Sequence, residues 1–352
     1  MSLIEIDGSY GEGGGQILRT AVGMSALTGE PVRIYNIRAN RPRPGLSHQH
    51  LHAVKAVAEI CDAECEGLEI GSTEIVFEPG KVKGGEYEVD IGTAGSVTLL
   101  LQAVKLAAIA ADGPVEMEVR GGTDVKWSPP VDYEINVNAH YLDRLGYRYE
   151  LEVLRRGHYP RGGGIVRARM EPPKRLKPLE AVKFGELESV RGISHCVRLP
   201  PHVAERQAKA ASEIIERELG IRPEIEIETY PKGRDPHLGP GSGIVLWAED
   251  DQGNRIGADA LGEKGKPAEV VGREAAEQLV QRLRTGMALD EHMGDQILPF
   301  LAIADGESVF GVTGVDPHLP TNAWVVEKFL PVSVEIRGKE GEPATVEVRP
   351  EG

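Results

Sequence analysis

The feature that most constrains this chain is a pattern that recurs three times along it: strand, helix, strand, polar loop, helix, strand, strand. In the first occurrence, a short strand at Leu3–Ile6 runs through a glycine-rich turn into a helix near Gln16–Leu27. A strand at Pro31–Ile37 and the loop Arg38–Ser47 follow, then a helix with Leu51, Val54, Val57 and Cys61 at helical spacing. Strands near Leu68–Ile70 and Thr73–Glu78 close the unit. The second occurrence opens with a strand at Glu86–Ile91 and a turn at Gly92–Ser96, and its first helix reaches about Ala111. It continues with a strand Val115–Val119, the loop Arg120–Pro130, a helix Asp132–Leu145 and strands Tyr147–Leu154 and Gly164–Met170. The helix stop at Asp112-Gly113 lies 84 residues after the one at Thr28-Gly29, as expected of a repeat.

The third occurrence has a helix opened by Gly294-Asp295-Gln296 and stopped by Asp305-Gly306. A strand Glu307–Val312, the loop Thr313–Thr321 and a helix Asn322–Phe329 follow, with Thr321 or Asn322 as the expected N-cap. The last strands are Val332–Arg337 and Ala344–Val348. Gly306 stands 193 residues beyond Gly113, not 84, so a long segment must interrupt the third unit. That segment, Phe184–Arg284, has its own pattern: strand Glu188–Leu199, helix Val203–Leu219, strands Glu224–Thr229 and Ile244–Ala248, helix Ala268–Arg284. The expected class is α+β. Three repeated strand-helix-strand-helix-strand-strand units form a large domain from residues 1–183 plus 285–352, and residues 184–284 form a smaller inserted α+β domain.

Charge and composition narrow the function. A net charge of −15 argues against broad, nonspecific nucleic-acid binding. Yet Pro31–Ala58 holds five basic residues, three histidines and no acid, a window of opposite sign. The longest apolar run, Val97–Ala111, contains Gln102 and Lys105 and is too short to span a bilayer. The start, MSLIEIDGS, reads as no secretory signal. Three cysteines suggest neither a disulfide framework nor a zinc site, and a reduced cytoplasm fits.

The loops between second strand and second helix occupy equivalent places in the three units, so they are expected to converge on one cleft. In the third loop His318 stands between Pro317 and Pro320, which stiffen the backbone. In the first unit the run Gly11-Glu12-Gly13-Gly14-Gly15-Gln16 lets backbone N–H groups approach a phosphate at a helix start. Glu12 suits a metal held by phosphates, and Arg19 suits a phosphate clamp. Arg38, Arg41, Arg43, His48 and Gln49 suit a phosphorylated ligand. Asp124, Trp127, Pro129, Pro130 and Tyr133 suit the flanks of a base, with plain core packing as the alternative. Gln102 and Asp295 suit contacts to a metal or leaving group, although Asp295 also suits a helix cap.

Several runs resemble the signature of RNA 3′-terminal phosphate cyclases. They are DGSYGEGGGQILR at Asp7–Arg19, IRANRPRPGLSHQHL at Ile37–Leu51, GGTDVKWSPP at Gly121–Pro130 and RGHYPRGGG at Arg156–Gly164. HVAER at His202–Arg206, GPGSG at Gly239–Gly243, GDQILP at Gly294–Pro299 and PHLPTN at Pro317–Asn322 complete the order. The resemblance implies a three-repeat fold with an inserted domain. It implies an ATP-dependent, ligase-type enzyme in which His318 takes AMP from ATP. AMP then passes to an RNA 3′-phosphate, and the 2′-hydroxyl closes a 2′,3′-cyclic phosphate. By matching positions, Glu12, Arg19, Gln102, Pro130, Tyr133, His292, Asp295 and Gln296 would contact the nucleotide. Arg38, Arg41, Arg43 and Gln49 would contact RNA ending in a 3′-phosphate, and Glu12 and Asp295 would hold Mg or Mn. The resemblance also admits a homodimer. His292 departs from the bacterial pattern, which has an aromatic residue there, so the choice of ATP over GTP stays open. Two other readings compete: a non-catalytic cyclase-like RNA-binding or ribosome-assembly protein, whose relatives lack the histidine, and an enolpyruvyl transferase of related architecture.

Overall fold

In the computed structural model, which describes residues 3–351, apolar alternation and helical spacing become small mixed sheets with helices packed among them. Strand β1 (Ile4–Asp7) leads into helix α1 (Gly15–Thr28), and β2 (Val32–Tyr35) returns parallel to β1. After α2 (His48–Ile60), β3 (Glu64–Glu66) and β4 (Ile75–Glu78) form an antiparallel pair, and β4 adds to β2. The sheet order is β1-β2-β4-β3. The next stretch repeats this order. Here β5 (Gly85–Asp90), α3 (Val97–Ala108) and β6 (Val115–Gly121) make a parallel crossover. A broken helix then passes from α4 (Val131–Tyr133) through a π-helical turn (Glu134–Asn138) to α5 (Ala139–Arg144). Strands β7 (Tyr149–Arg155) and β8 (Gly164–Met170) complete the order β5-β6-β8-β7.

Strand β9 (Glu180–Ala181) comes next, followed by β10 (Leu187–Val197), α6 (His202–Leu219), β11 (Glu224–Glu228), β12 (Gly241–Asp250), β13 (Arg255–Leu261) and α7 (Ala268–Arg284). These four strands from β10 on form one sheet, β11-β10-β12-β13. The chain ends with α8 (Glu291–Leu301), β14 (Ser308–Val312), α9 (His318–Phe329), β15 (Val332–Arg337) and β16 (Ala344–Pro350). Strand β14 pairs in parallel with β9 and antiparallel with β16, giving β9-β14-β16-β15. Three of the four sheets therefore share one order and one mix of parallel and antiparallel pairs. Helices α1, α2, α3 and α9 pack on one another between them.

The class is α+β, as expected, and several details differ from the sequence reading. The strand expected at Leu68–Ile70 lies at Glu64–Glu66, because Gly67 and Gly71 turn the chain at φ 69° and 83°. Strand β9 was missed because two residues carry no alternation, and β13 because Gly257 dilutes its pattern. The helix expected to be continuous over Asp132–Leu145 holds the π turn. Helix α9 starts at His318, so Thr321 and Asn322 lie inside its first turns and Pro317 holds the cap position. Asp295 likewise lies within α8, whose cap is Asp290: its carboxylate accepts from the backbone N–H groups of His292 and Met293.

Two apolar cores form. The larger draws on residues from Ile6 to Ala181 and from Ala288 to Val348. The smaller draws only on residues between Phe184 and Leu283. Strand β12 serves both by alternation: Ile244, Leu246 and Ala248 face the smaller core, while Val245 and Trp247 join the larger. Among the described residues no helix is long and apolar enough to cross a membrane.

Candidate active site

One cavity of about 720 Å³ is lined by residues from all three of the polar loops 38–47, 120–130 and 313–321. Arg38 and Arg41 come from the first loop, Lys126, Trp127, Ser128 and Pro129 from the second, and Asp316 and His318 from the third. The glycine-rich turn before α1 contributes Glu12, α1 itself contributes Gly15, Gln16 and Arg19, and α8 contributes His292, Asp295 and Gln296. The size suits a ligand of nucleotide class.

His318 sits in the first turn of α9, half-exposed to the cavity. Its Nδ1 is held by a short hydrogen bond to Asp316 Oδ1, which also accepts the His318 backbone N–H at 2.8 Å. The ionised Asp316 is an acceptor only, so when the ring is neutral its proton sits on Nδ1 and Nε2 is bare. Nε2 lies 3.8 Å from Glu12 Oε2. Burial pushes the His318 pKa down, but the bond to Asp316 and the charges of Asp295 and Asp316 outweigh it, and the net direction is up. The other Glu12 oxygen pairs with Arg41. The glycine turn reaches α9 through the Glu12 backbone N–H, which donates to Thr321 Oγ1 at 3.4 Å.

Behind this front a buried polar layer links the units. Asp295 Oδ1 accepts from Gln16 Nε2 and, at 2.8 Å, from Asn322 Nδ2, while Thr20 Oγ1 donates to Asn322 Oδ1 at 2.7 Å. Burial pushes the Asp295 carboxyl up to about 6. Arg19 donates from Nε to Gln102 Oε1 at 3.0 Å, and burial pulls its guanidinium down to about 10. Gln296 Oε1 accepts from Asn138 Nδ2 at 3.0 Å; Asn138 Oδ1 accepts from the buried Lys105, which also pairs with Glu134. Such a layer is rigid only because nearly every member is satisfied. Gln16 Oε1 is the exception: it is buried with no partner among the described residues.

Most of the residues expected from sequence meet here, but not all. Glu12, Arg19, Arg38, Arg41, Gln49, Gln102, Tyr133, His292, Asp295, Gln296 and His318 line the cavity. Pro130 does not: it is buried at the cap position before α4, and Pro129 lines the wall in its place. Arg43 is exposed and stands outside the lining. Tyr133 is nearly fully buried, and its hydroxyl is committed to Asp290 at 2.7 Å. Gln49 turns its Oε1 toward the Ser96 backbone N–H at 3.2 Å. His48 is exposed, stacked near His52, and outside the lining.

The sequence reading missed Asp316, His50 and Gln16. Asp316 had a local signal, the two-residue spacing of Asp316-Pro317-His318 that suits a side-chain bond back to the chain. His50 had none. It is buried with Nδ1 against Ser47 Oγ at 2.6 Å, and burial, then Arg19 and Arg38, pull it down to about 3, so it stays neutral. A Cβ on Gly15 would collide with His50 Nε2, which gives that glycine its reason.

A model of the family described as RNA 3′-terminal phosphate cyclase matches residues 10–336. The chain is 55% identical over 348 residues to the RNA 3′-terminal phosphate cyclase of Thermococcus kodakarensis, covering 99% of this chain and 98% of that one. It is 54% identical to that of Staphylothermus marinus over 350 residues, with 99% and 98% covered, and 54% identical to that of Pyrococcus furiosus over 346 residues, with 98% of each covered. Among solved structures, the enolpyruvyl transferase NikO from Streptomyces tendae aligns with a TM-score of 0.38 at 11% identity, over all of this chain and 49% of that one. A likeness that loose decides nothing about fold or function.

Proposed function

The chain belongs to the RNA 3′-terminal phosphate cyclase family and is an enzyme of that class, and we propose that it acts through a covalent adenylate on His318. The observation that carries this reading is the setting of the imidazole: Asp316 Oδ1 faces Nδ1, so in the neutral ring the Nε2 lone pair is free beside Glu12. In this reading Nε2 attacks the α-phosphorus of ATP, forming an N–P bond as the bond to pyrophosphate breaks. An oxygen of the RNA 3′-phosphate attacks the same phosphorus and displaces the imidazole. The RNA 2′-hydroxyl then attacks the 3′-phosphorus, AMP leaves, and a 2′,3′-cyclic phosphate remains.

Arg38 and Arg41 are the proposed contacts to the RNA phosphate, and Arg19 with Gln102 to the nucleotide phosphates. His292 and Tyr133 are proposed beside the base, with Pro129 in the role first expected of Pro130. For a divalent cation the donors fit: Glu12, Asp295 and the orphaned Gln16 Oε1 are hard oxygen ligands suited to Mg or Mn. Bound there, the cation would offset phosphate charge. We further take residues 1–183 plus 285–352 as a three-repeat catalytic domain and 184–284 as an inserted smaller one. The shared order of three sheets and the separate second core support this division, and the double duty of β12 makes the insert a docked lobe.

The test is incubation with α-labelled ATP and Mg or Mn, followed by a denaturing gel. Labelled protein is expected, with the label lost in acid and kept in alkali, because protonation turns the imidazole of a phosphoramidate into a good leaving group. His318→Asn should abolish labelling while keeping its fold. Labelling that persists in His318→Asn would move the nucleophile to His292, the other histidine at the cavity with an exposed ring. An unlabelled wild-type chain would favour the non-catalytic reading.

A further inference from the structure

The family-like run Arg156–Gly164 takes no part in the cavity, yet it is among the most distinctive stretches of the chain. Its His158 is buried and meets two other buried side chains, Asp124 from the second loop and His195 from β10. One ligating atom from each lies within 4.8 Å of the others. The two imidazoles face each other, Nε2 to Nε2, at 3.0 Å. Among the described residues neither Nδ1 atom, both buried, has a partner.

Two neutral imidazoles in this pose can share only one proton between their Nε2 atoms. The accepting ring must then carry its own proton on Nδ1, where the described residues offer no acceptor. A cation between the rings would instead take both Nε2 lone pairs and the Asp124 carboxylate together. Charge points the same way. The single guanidinium of Arg156 faces three carboxylates: Asp124 at 3.2 Å, Asp132 at 2.8 Å and Glu228 at 2.6 Å. The buried cluster is thus short of positive charge. Space is reserved for the rings as well, since a Cβ on Gly241 would collide with the His158 imidazole.

We propose that Asp124, His158 and His195 form a site for a divalent transition metal of the zinc class, distinct from the ATP cavity. Two imidazole nitrogens and one carboxylate select zinc or cobalt over magnesium, and a water would complete a tetrahedral shell. None of the three residues lines the cavity, but Lys126 and Trp127 of the same loop as Asp124 do. The metal therefore pins the base of that loop, and the Arg156–Gly164 run, to the sheet of the 184–284 segment. Its role is positional: it holds a cavity wall against the smaller lobe.

The full-length chain, stripped of metal and free of ATP, is titrated with Co²⁺ and followed by visible absorption, then with Zn²⁺ as competitor. One equivalent of Co²⁺ should give the intense d–d bands of a low-symmetry, nitrogen-bound site, and Zn²⁺ should abolish them. The bands should be lost in His158→Gln, His195→Gln and Asp124→Asn, with circular dichroism unchanged, and kept in His318→Asn. A wild-type chain without such bands overturns the proposal whether or not the variants fold. So do bands that survive in His158→Gln/His195→Gln, or bands lost in His318→Asn, which would put the ion in the ATP cavity.

Discussion

Replacing Asp316 by asparagine tests how the proposed nucleophile, His318, is prepared. In the native chain the Asp316 carboxylate accepts both the His318 Nδ1–H and the His318 backbone N–H. An asparagine oxygen can still accept both, so the ring stays near its place and only the charge is lost. A hydrogen bond to a charged acceptor contributes roughly 1.5–3 kcal/mol. The side chains are 37% and 22% exposed, so water takes up part of the loss and the low end applies. About 1.4 kcal/mol corresponds to about tenfold in the rate of adenylate formation. The pH profile carries the sharper signature. In the proposed reaction His318 must be neutral to attack, and its folded pKa lies above the ordinary value because the Asp316 bond and the Asp295 charge overcome burial. Labelling should therefore rise with pH through that raised value. In Asp316→Asn the main raising influence is gone while burial remains, so the rise should move to lower pH. The assay is single-turnover formation of the acid-labile protein–AMP bond from α-labelled ATP across the acidic and neutral range. An unmoved or alkaline-shifted rise, or an undiminished plateau, would refute the role given to Asp316.

Arg38→Ala should weaken binding of RNA with a 3′-phosphate by about 1.5–3 kcal/mol while barely affecting a 3′-hydroxyl end, measured by competition binding; equal losses would assign Arg38 to general backbone contact. Gly15→Ala should cost about 1–3 kcal/mol of stability in urea unfolding and impair labelling, because its methyl group and His50 cannot share the space; a neutral result would remove the steric reason for that glycine. Lys105→Met should cost about 3–5 kcal/mol, because Glu134 would be left buried and unpaired; the thermal midpoint reads this directly, and an unchanged midpoint would mean that the ion pair adds nothing to stability over an apolar side chain. If Asp295 helps to hold the cation, the affinity for Mn in the presence of ATP should fall as pH drops through about 6, where its carboxyl takes up a proton. Affinity flat across that range would remove Asp295 from the ligand set.

By itself the sequence determined the periodic part of this protein. Helix α7 and strands β8 and β15 lie where apolar spacing puts them, because the 3.6- and two-residue periods are local properties of the backbone. The loops, their arginines and the Pro317-His318-Leu319-Pro320 run were equally legible. What tertiary structure alone decided are the meetings of residues far apart in the chain. Glu12 reaches Thr321 across 309 residues and Gln16 reaches Asp295 across 279, and no periodicity encodes either distance. The strand β9 exists because β14, beyond the 184–284 segment, offers it an edge to pair with, not because two residues prefer to be extended. His50 became a neutral wall of the cavity, and His158 and His195 a facing pair, only once burial removed water and packing chose their neighbours. Propensity acts within a turn or two of chain. Desolvation and hydrogen-bond satisfaction act between whatever surfaces the fold brings together, and the chemistry of this site is made of the second kind.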